Sequence, residues 1–434
     1  MVSDISPTFH SIAGVSRSQS EQTASHCNSS LLNYDLVIVG GGIAGLTLAC
    51  GLQSSGVRVA VIEAQTSTAA AGRRRAYALS PMSAKIFEGL GLWNHISPQV
   101  THFEQVRLSD ADFGPVVEFC PKDLGRDAVY YAADHGVLMT ALQEQLNQGQ
   151  TTTYLTCTHV VDVQYHSDGA TVQAETAGER YLLNAQLVVA ADGAKSALRQ
   201  QANISTVGWR YWQSCITAVL APEKFHGNTA YERFWPSGPF AILPLPNGHC
   251  QIVWTASHAE AEALVNLPKT QFMAELQKRY GSHMGHLELV SEPMIFPVQL
   301  TLSRAYIGAR LALVGDAAHC CHPVGGQGLN MGIRDGAALA EVLGSAHANG
   351  EDLGSIEVLK RYDRWRRREN WAVLGLTDLL NRSFSNRWWP LVIARRLGIV
   401  VLQAVVPLRR LALRLMAGFF GRLPAFAQSA KTFT

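Results

Sequence analysis

The sequence lacks most features that assign a protein quickly. No apolar run reaches the roughly 18 residues that a membrane span needs. The longest candidate, residues 397–408, is interrupted by Gln403 and Pro407. The eight cysteines show no Cys-x-x-Cys spacing, and no apolar leader precedes them. They therefore read as reduced thiols in a cytoplasmic setting rather than as a disulfide frame. There is no Gly-x-Ser-x-Gly elbow, no kinase-like loop and no internal repeat, which argues against hydrolase, kinase and solenoid classes. A net charge of +2 gives no support to nucleic-acid binding. Acidic residues are missing from one region altogether. After Asp378 the chain carries Arg382, Arg387, Arg395, Arg396, Arg409, Arg410, Arg414, Arg422 and Lys431 without one carboxylate. Since the whole chain holds 36 basic and 34 acidic residues, an acidic body precedes this basic tail.

What is present fits an α/β protein of more than one domain, since 434 residues exceed a single typical core. Residues 1–33 are polar and Ser-rich and read as a disordered arm. The run 35–39 has the apolar character of a buried parallel strand and is followed by helical spacing over 46–55 and a second strand at 57–62. Strands are expected at 155–163, 171–175 and 187–191, and helices at 81–89 and 138–146. From 207 to 302 the pattern changes to short β-rich pieces split by Pro and Gly, with one helix near 269–279, as in an antiparallel sheet. A strand at 310–314 and a helix at 329–343 restore the first pattern. The expected organisation is a discontinuous Rossmann-like domain (34–206 and 303–350, with an excursion near 105–130 into a second domain), a β-sheet domain (207–302) and C-terminal helices (351–434) that fray beyond Ala425.

Gly40, Gly42 and Gly45 form Gly-x-Gly-x-x-Gly between the first strand and its helix, and Glu63 ends the next strand. Alone, such a glycine cluster is a weak signal, and a tight turn in a plain α/β protein would explain it. Within a complete strand–helix–strand unit it marks a dinucleotide site: backbone approaches the pyrophosphate, and the carboxylate accepts from ribose hydroxyls. A carboxylate at 63 disfavours a 2′-phosphate, leaving FAD or NAD. Two further strand ends carry Asp192-Gly193 and Gly315-Asp316. Either alone is most often a local turn. Arranged around one dinucleotide unit, they fit a single extended cofactor.

The segments Arg75-Ala76-Tyr77-Ala78-Leu79-Ser80, Asp192-Gly193, Ala230-Tyr231-Glu232-Arg233-Phe234, Gly238 to Leu245, and His322-Pro323-Val324-Gly325-Gly326-Gln327-Gly328-Leu329-Asn330-Met331-Gly332-Ile333-Arg334-Asp335 carry a resemblance. The last matches a family signature at every fixed position. Over about residues 34–385 the chain resembles the para-hydroxybenzoate-hydroxylase-fold flavoprotein monooxygenases, and among them the UbiH/UbiF/VisC-type hydroxylases of quinone biosynthesis. It departs from their pattern at His135, where many relatives have Arg or Asn. The resemblance implies FAD as cofactor, reduced by NAD(P)H or a reductase protein, and hydroxylation of a polyprenylated phenol or quinol by O2 through a flavin hydroperoxide. Ubiquinone and plastoquinone synthesis, within a quinone-biosynthesis complex, are the implied settings. It further implies Gly40, Gly42, Gly45, Glu63, Arg75, Asp192, Asp316, Gly326, Gly328 and Asn330 as cofactor-binding residues. Phe234, Phe240 and Pro323 are candidate substrate-pocket residues, and the flavin rather than a side chain carries the chemistry.

Other readings compete. Epoxidation or hydroxylation of another apolar substrate, and a flavin-binding scaffold subunit of a biosynthetic complex without turnover, are the alternatives. His319-Cys320-Cys321-His322 invites a metal site, but consecutive residues cannot converge on a tetrahedral ion, and no metal is expected. The tail combines Trp388, Trp389, Phe419 and Phe420 with seven arginines between Arg387 and Arg422. It is expected to dock on an anionic membrane surface through its basic residues, with internal packing and dimerisation as alternatives.

Overall fold

The computed structural model describes residues 31–73, 75–110 and 113–428. Most of the expected arm, residues 1–30, lies outside the described residues. Its last three, Leu31–Asn33, form a strand that pairs in parallel with residues 182–184. A six-stranded sheet organises the cofactor half. Leu311–Leu313, Leu187–Ala190, Leu36–Val39, Val59–Ile62 and Thr152–Leu155 lie side by side in parallel, and Ile307–Gly308 closes one edge antiparallel. Buried on both faces, the four central strands Leu311–Leu313, Leu187–Ala190, Leu36–Val39 and Val59–Ile62 are apolar throughout rather than alternating. The helices Ile43–Leu52 and Gln327–Ala348 cross closely on this sheet. A Cβ on Gly336 would lie 2.7 Å from the Ala44 carbonyl oxygen, so small residues set the separation of these backbones.

A second sheet of nine strands forms the other half. Its long strand Thr206–Pro222 pairs antiparallel with Cys250–Ser257 and Met294–Ser303. Gly238–Pro244 and Thr229–Trp235 follow, and Gln105–Asp110 and Val116–Phe119 complete the edge. One face is covered by the helices His258–Val265 and Lys269–Tyr280, of which the first was not expected. The other face turns toward the cofactor half and the tail helices. The expected single strand over 155–163 is two strands in two sheets, Thr152–Leu155 and Thr158–Tyr165, because Cys157 turns the chain with φ +54. A further strand, Glu179–Ala185, joins a four-stranded sheet. Helices Ile356–Phe384, Trp389–Ala404 and Val406–Met416 form the tail. It does not fray at Ala425: the short helix Ala425–Gln428 docks on Pro81–Gly89, with Ala427 buried and the Ala425 N–H donating to Glu341 at 2.7 Å.

Candidate cofactor and substrate site

Four parallel strands end side by side, and each end carries a candidate group. In lateral order these are Asp316, Asp192, the Gly40–Gly42 turn and Glu63. Three strand spacings of about 4.8 Å make a row roughly 14 Å long at the carboxyl edge of the sheet, where open α/β folds bind ligands. The glycines divide the work. Gly40 has φ +111, and a Cβ there would lie 2.2 Å from the Ala191 carbonyl oxygen. A Cβ on Gly45 would lie 2.2 Å from the Gly40 carbonyl oxygen. Both positions are closed by backbone. A Cβ on Gly42, by contrast, meets nothing within 4 Å, which leaves the start of the helix open to a phosphate. The Gly41 N–H donates to Glu63 at 2.8 Å and the Gln65 N–H donates to its other oxygen at 2.9 Å, so the carboxylate is oriented and keeps lone pairs for hydroxyl donors.

Asp192 spends one oxygen on capping a short helix, accepting from the Ala197 N–H at 2.9 Å, while its Oδ1 is buried without a partner. Asp316 has exposed surface although it lies deep in the protein, as a group lining a cleft does. Burial raises its pKa, and His319 and Arg75 pull the other way. The orphaned Asp192 oxygen, the open face of Gly42 and the accessible Asp316 together fit an extended dinucleotide.

The turn bearing Asp316 is held by a buried hub that the sequence did not reveal. Asp335 accepts from His319 Nε2 at 2.5 Å, the Gly315 N–H at 3.2 Å, Arg366 Nε at 2.8 Å and Asn370 Nδ2 at 2.9 Å. Burial alone would raise the Asp335 pKa, but His319 and Arg366 hold it at about 2. His322 faces elsewhere, accepting the Val324 N–H at Nδ1 at 3.2 Å, and burial lowers its pKa to about 3. No group of metal-ligating side chains is found among the described residues.

The loop Pro323–Gly326 stands between the two halves. Gly325 and Gly326 adopt φ +65 and +62, and a Cβ on Gly326 would come within 3.0 Å of Ala78 Cβ. Gly328 is helical, and a Cβ there would make an ordinary 3.7 Å contact with Cys321 Sγ, so no close approach within the protein itself requires glycine. The Asn330 side-chain amide is spent inside the protein. Its Oδ1 accepts from the Ser80 N–H and Ser83 Oγ, and its Nδ2 donates to the Ala78 and Gly326 carbonyls, all at 2.8 Å. The side chain positions the loop and leaves no side-chain amide proton for a cofactor. The sequence reading also missed Tyr130 and Gln327. Tyr130 donates to the Met416 carbonyl at 2.6 Å and Gln327 Nε2 donates to the same atom at 3.1 Å, tying the loop to the tail.

Arg75 holds its guanidinium over the rings of Tyr77 and Phe296, which belong to the cofactor and substrate halves. His135 packs beside it without facing outward. Its Nδ1 pairs with the Tyr77 hydroxyl at 3.1 Å and its Nε2 with the Ala70 carbonyl at 2.8 Å, so its ring is occupied. Strand alternation separates the two candidate wall residues. Phe234 stacks on Phe384 with centroids 4.0 Å apart and shares a cluster with Val324. Phe240 points to the opposite face, under the two helices with Trp254. It therefore cannot line the site. Pro323 is part-buried at the head of the loop, next to Val324.

Residues 33–377 match the FAD binding domain family. The chain is 46% identical over 394 residues to an uncharacterized protein of Synechocystis sp., covering 91% of this chain and 95% of that protein. It is 36% identical to the ubiquinone hydroxylase UbiL of Rhodospirillum rubrum, covering 88% of each. It is 34% identical to the 3-demethoxyubiquinol 3-hydroxylase of Escherichia coli, covering 88% of this chain and 98% of that enzyme. Among solved structures, p-nitrophenol 4-monooxygenase of Pseudomonas putida superposes with a TM-score of 0.76 at 20% identity, covering 90% of this chain and 99% of that one, which shows a shared fold.

Proposed function

Since the chain belongs to the FAD binding domain family, we propose that it is an FAD-dependent monooxygenase that hydroxylates the ring of a polyprenylated phenol or quinol in ubiquinone or plastoquinone biosynthesis. The observation that carries this reading is the row of Glu63, open Gly42, Asp192 and Asp316 leading to a glycine loop whose neighbour Val324 faces the apolar side of the second sheet. Bound flavin, reduced by NAD(P)H or a reductase protein, supplies activated oxygen from O2. The chain's own residues do the rest. Glu63 and the open helix start hold the dinucleotide, and Arg75 supplies positive charge between the halves. The loop and the N-terminus of the 22-residue helix behind it favour negative charge on a bound ring. Phe234, Phe384 and Val324 exclude water and accept an apolar ring. Purified protein should be yellow and should consume oxygen, given reductant, in step with hydroxylation of 2-geranylphenol. A flavin-loaded protein without turnover would instead indicate the scaffold reading. Profiling quinone intermediates in a strain lacking the protein would name the ring position.

The tail supports collection of such a substrate from a membrane surface, by a route beyond its charge. Arg395 and Arg396 pair with buried Asp110, Arg409 and Arg410 with buried Asp123, and Arg422 with Glu341. Of the seven arginines, only Arg387 and Arg414 make no ion pair among the described residues. The docking proposed here therefore rests less on the tail's charge than on an apolar face it also presents: Trp389, Ile393 and Leu397, at helical spacing, are 70%, 57% and 59% exposed, with Trp388 beside them. Among the described residues no single helix is long and apolar enough to cross a membrane, and the two that would pass together are bent by 105°. The inner sides of the same helices place Ile399 and Leu413 in the cluster that holds Phe234 and Val324. A surface-bound tail would thus connect lipid to the site. The measurement is co-sedimentation with vesicles of mixed phosphatidylglycerol and phosphatidylcholine.

A further inference from the structure

The strand Thr229–Trp235 sends Ala230, Glu232 and Phe234 to the face of the second sheet that meets the cofactor half, and Tyr231, Arg233 and Trp235 to the other. Glu232 sits between Leu108 and Ala241 in register, so its lateral neighbours on that face are apolar. Other polar side chains of the face are already engaged. Gln251 clamps the Ala76 backbone through both ends of its amide, at 3.0 and 3.1 Å, and Gln213 bonds the Ser237 carbonyl and Asn381. Glu232 makes no hydrogen bond or ion pair among the described residues. It keeps some accessible surface although it lies deep in the protein, so it lines an internal space rather than packing solid or meeting bulk water. That burial pushes its carboxyl up to about 8. Its charge and that of Arg75 act in opposite senses on the same thiol, Cys215, and Arg75 also acts on Asp316. Arg75 is therefore within electrostatic reach of Asp316 and of the Cys215 thiol that Glu232 also influences.

A buried carboxyl group with no partner is costly, and proteins keep such groups where a ligand completes them. We propose that Glu232 is a specificity-determining residue of the substrate pocket: the carbonyl oxygen of its carboxyl group accepts a hydrogen bond from the hydroxyl of the aromatic substrate, while Phe234 and Phe384 pack the ring. This rests on the function proposed above and assigns one contact within it. A site that bonds a hydroxyl discriminates strongly against a ligand lacking one, because its polar group is then left unpaired.

The test uses the oxidised, flavin-loaded enzyme and two probes, 2-geranylphenol and its O-methyl ether, with affinity measured by equilibrium dialysis. Wild type should bind the phenol about tenfold or more tightly than the ether. Glu232→Leu should bind the two equally and retain its flavin and melting behaviour. Glu232→Gln, which keeps an acceptor of the same shape, should retain part of the preference and controls for a Leu variant that fails to fold. Wild type that binds and hydroxylates the phenol, with a Leu or Gln variant whose preference is unchanged, overturns the role of Glu232 alone. Wild type that binds and hydroxylates neither probe overturns the proposed function and this contact together.

Discussion

The fingerprint unit at residues 36–63 and the tail at 389–422 both carry strong sequence signals, and they use them in opposite ways. In the first, each signal acts where it stands. Gly40 and Gly45 are closed by backbone within the unit or on the adjoining strand, Gly42 is open, and Glu63 reaches 22 residues back to the Gly41 N–H. In the second, the conspicuous arginines act far from their neighbours. Arg395 and Arg409 reach carboxylates more than 280 residues earlier in the chain. Five of the seven arginines of this basic cluster fasten the tail to carboxylates elsewhere, and an apolar face lies exposed beside them. A local pattern has a local meaning when backbone geometry requires it. A long flexible cation has only the meaning its distant partner gives it.

The largest expected effect breaks the fingerprint. Gly45→Val places branched atoms against the Gly40 carbonyl, and flavin absorbance per mole of purified protein should fall to near zero, with little soluble protein. If this variant binds flavin normally, the close approach is not required. Asp335→Ala removes the acceptor shared by His319, Arg366 and Asn370 and leaves a buried arginine with one fewer partner. A loss of about 3–5 kcal/mol in denaturant unfolding is expected. Next comes the loop, where the two glycines should part company. Gly326→Val, at φ +62, should lose most hydroxylation, whereas Gly328→Ala should stay within about twofold of wild type. Equal loss in both would show that the cradle extends into the helix.

The tail should split in the reverse sense to its sequence signal. Arg409→Ala exposes the Asp123 carboxylate to an unbalanced burial and should cost on the order of 1–3 kcal/mol of stability. Trp389→Ser with Leu397→Ser should change stability by under about 0.5 kcal/mol each and yet abolish vesicle sedimentation. Sedimentation unaffected by that pair would remove the apolar-face proposal.

The smallest effect concerns pH. Glu232 has a folded pKa raised to about 8 above an ordinary carboxyl value, so its neutral form suits the fold and its ionised form does not. Its favourable contribution is full below the unfolded pKa and is lost as pH rises through about 8. The ionisable groups identified around it are Cys215, whose thiol burial holds neutral with a pKa near 12, and the Arg75 guanidinium. Glu232→Gln should therefore melt on the order of 2 °C above wild type at pH 9, with the gap closing at pH 5. A gap independent of pH would mean that Glu232 does not ionise in that window.

The sequence alone determined the order of the cofactor strands, the turn glycines and Glu63, because buried parallel strands and phosphate-binding turns impose residue types at fixed short spacings. It also placed Asp192 and Asp316 at strand ends, but not in one row, since lateral strand order is a property of the sheet. Tertiary structure alone decided that Phe234 lies on the sheet face that meets the cofactor half and Phe240 on the opposite one. A strand's two faces are legible from alternation only when one of them is polar, and here both are buried. It likewise decided that the Asn330 amide is consumed by the Ser80, Ser83, Ala78 and Gly326 contacts, that Asp335 anchors the Gly315 turn, and that Glu232 is left unpaired. Whether a polar side chain is engaged or available depends on what the rest of the chain brings to it, and the partners of Asn330 lie up to 252 residues away.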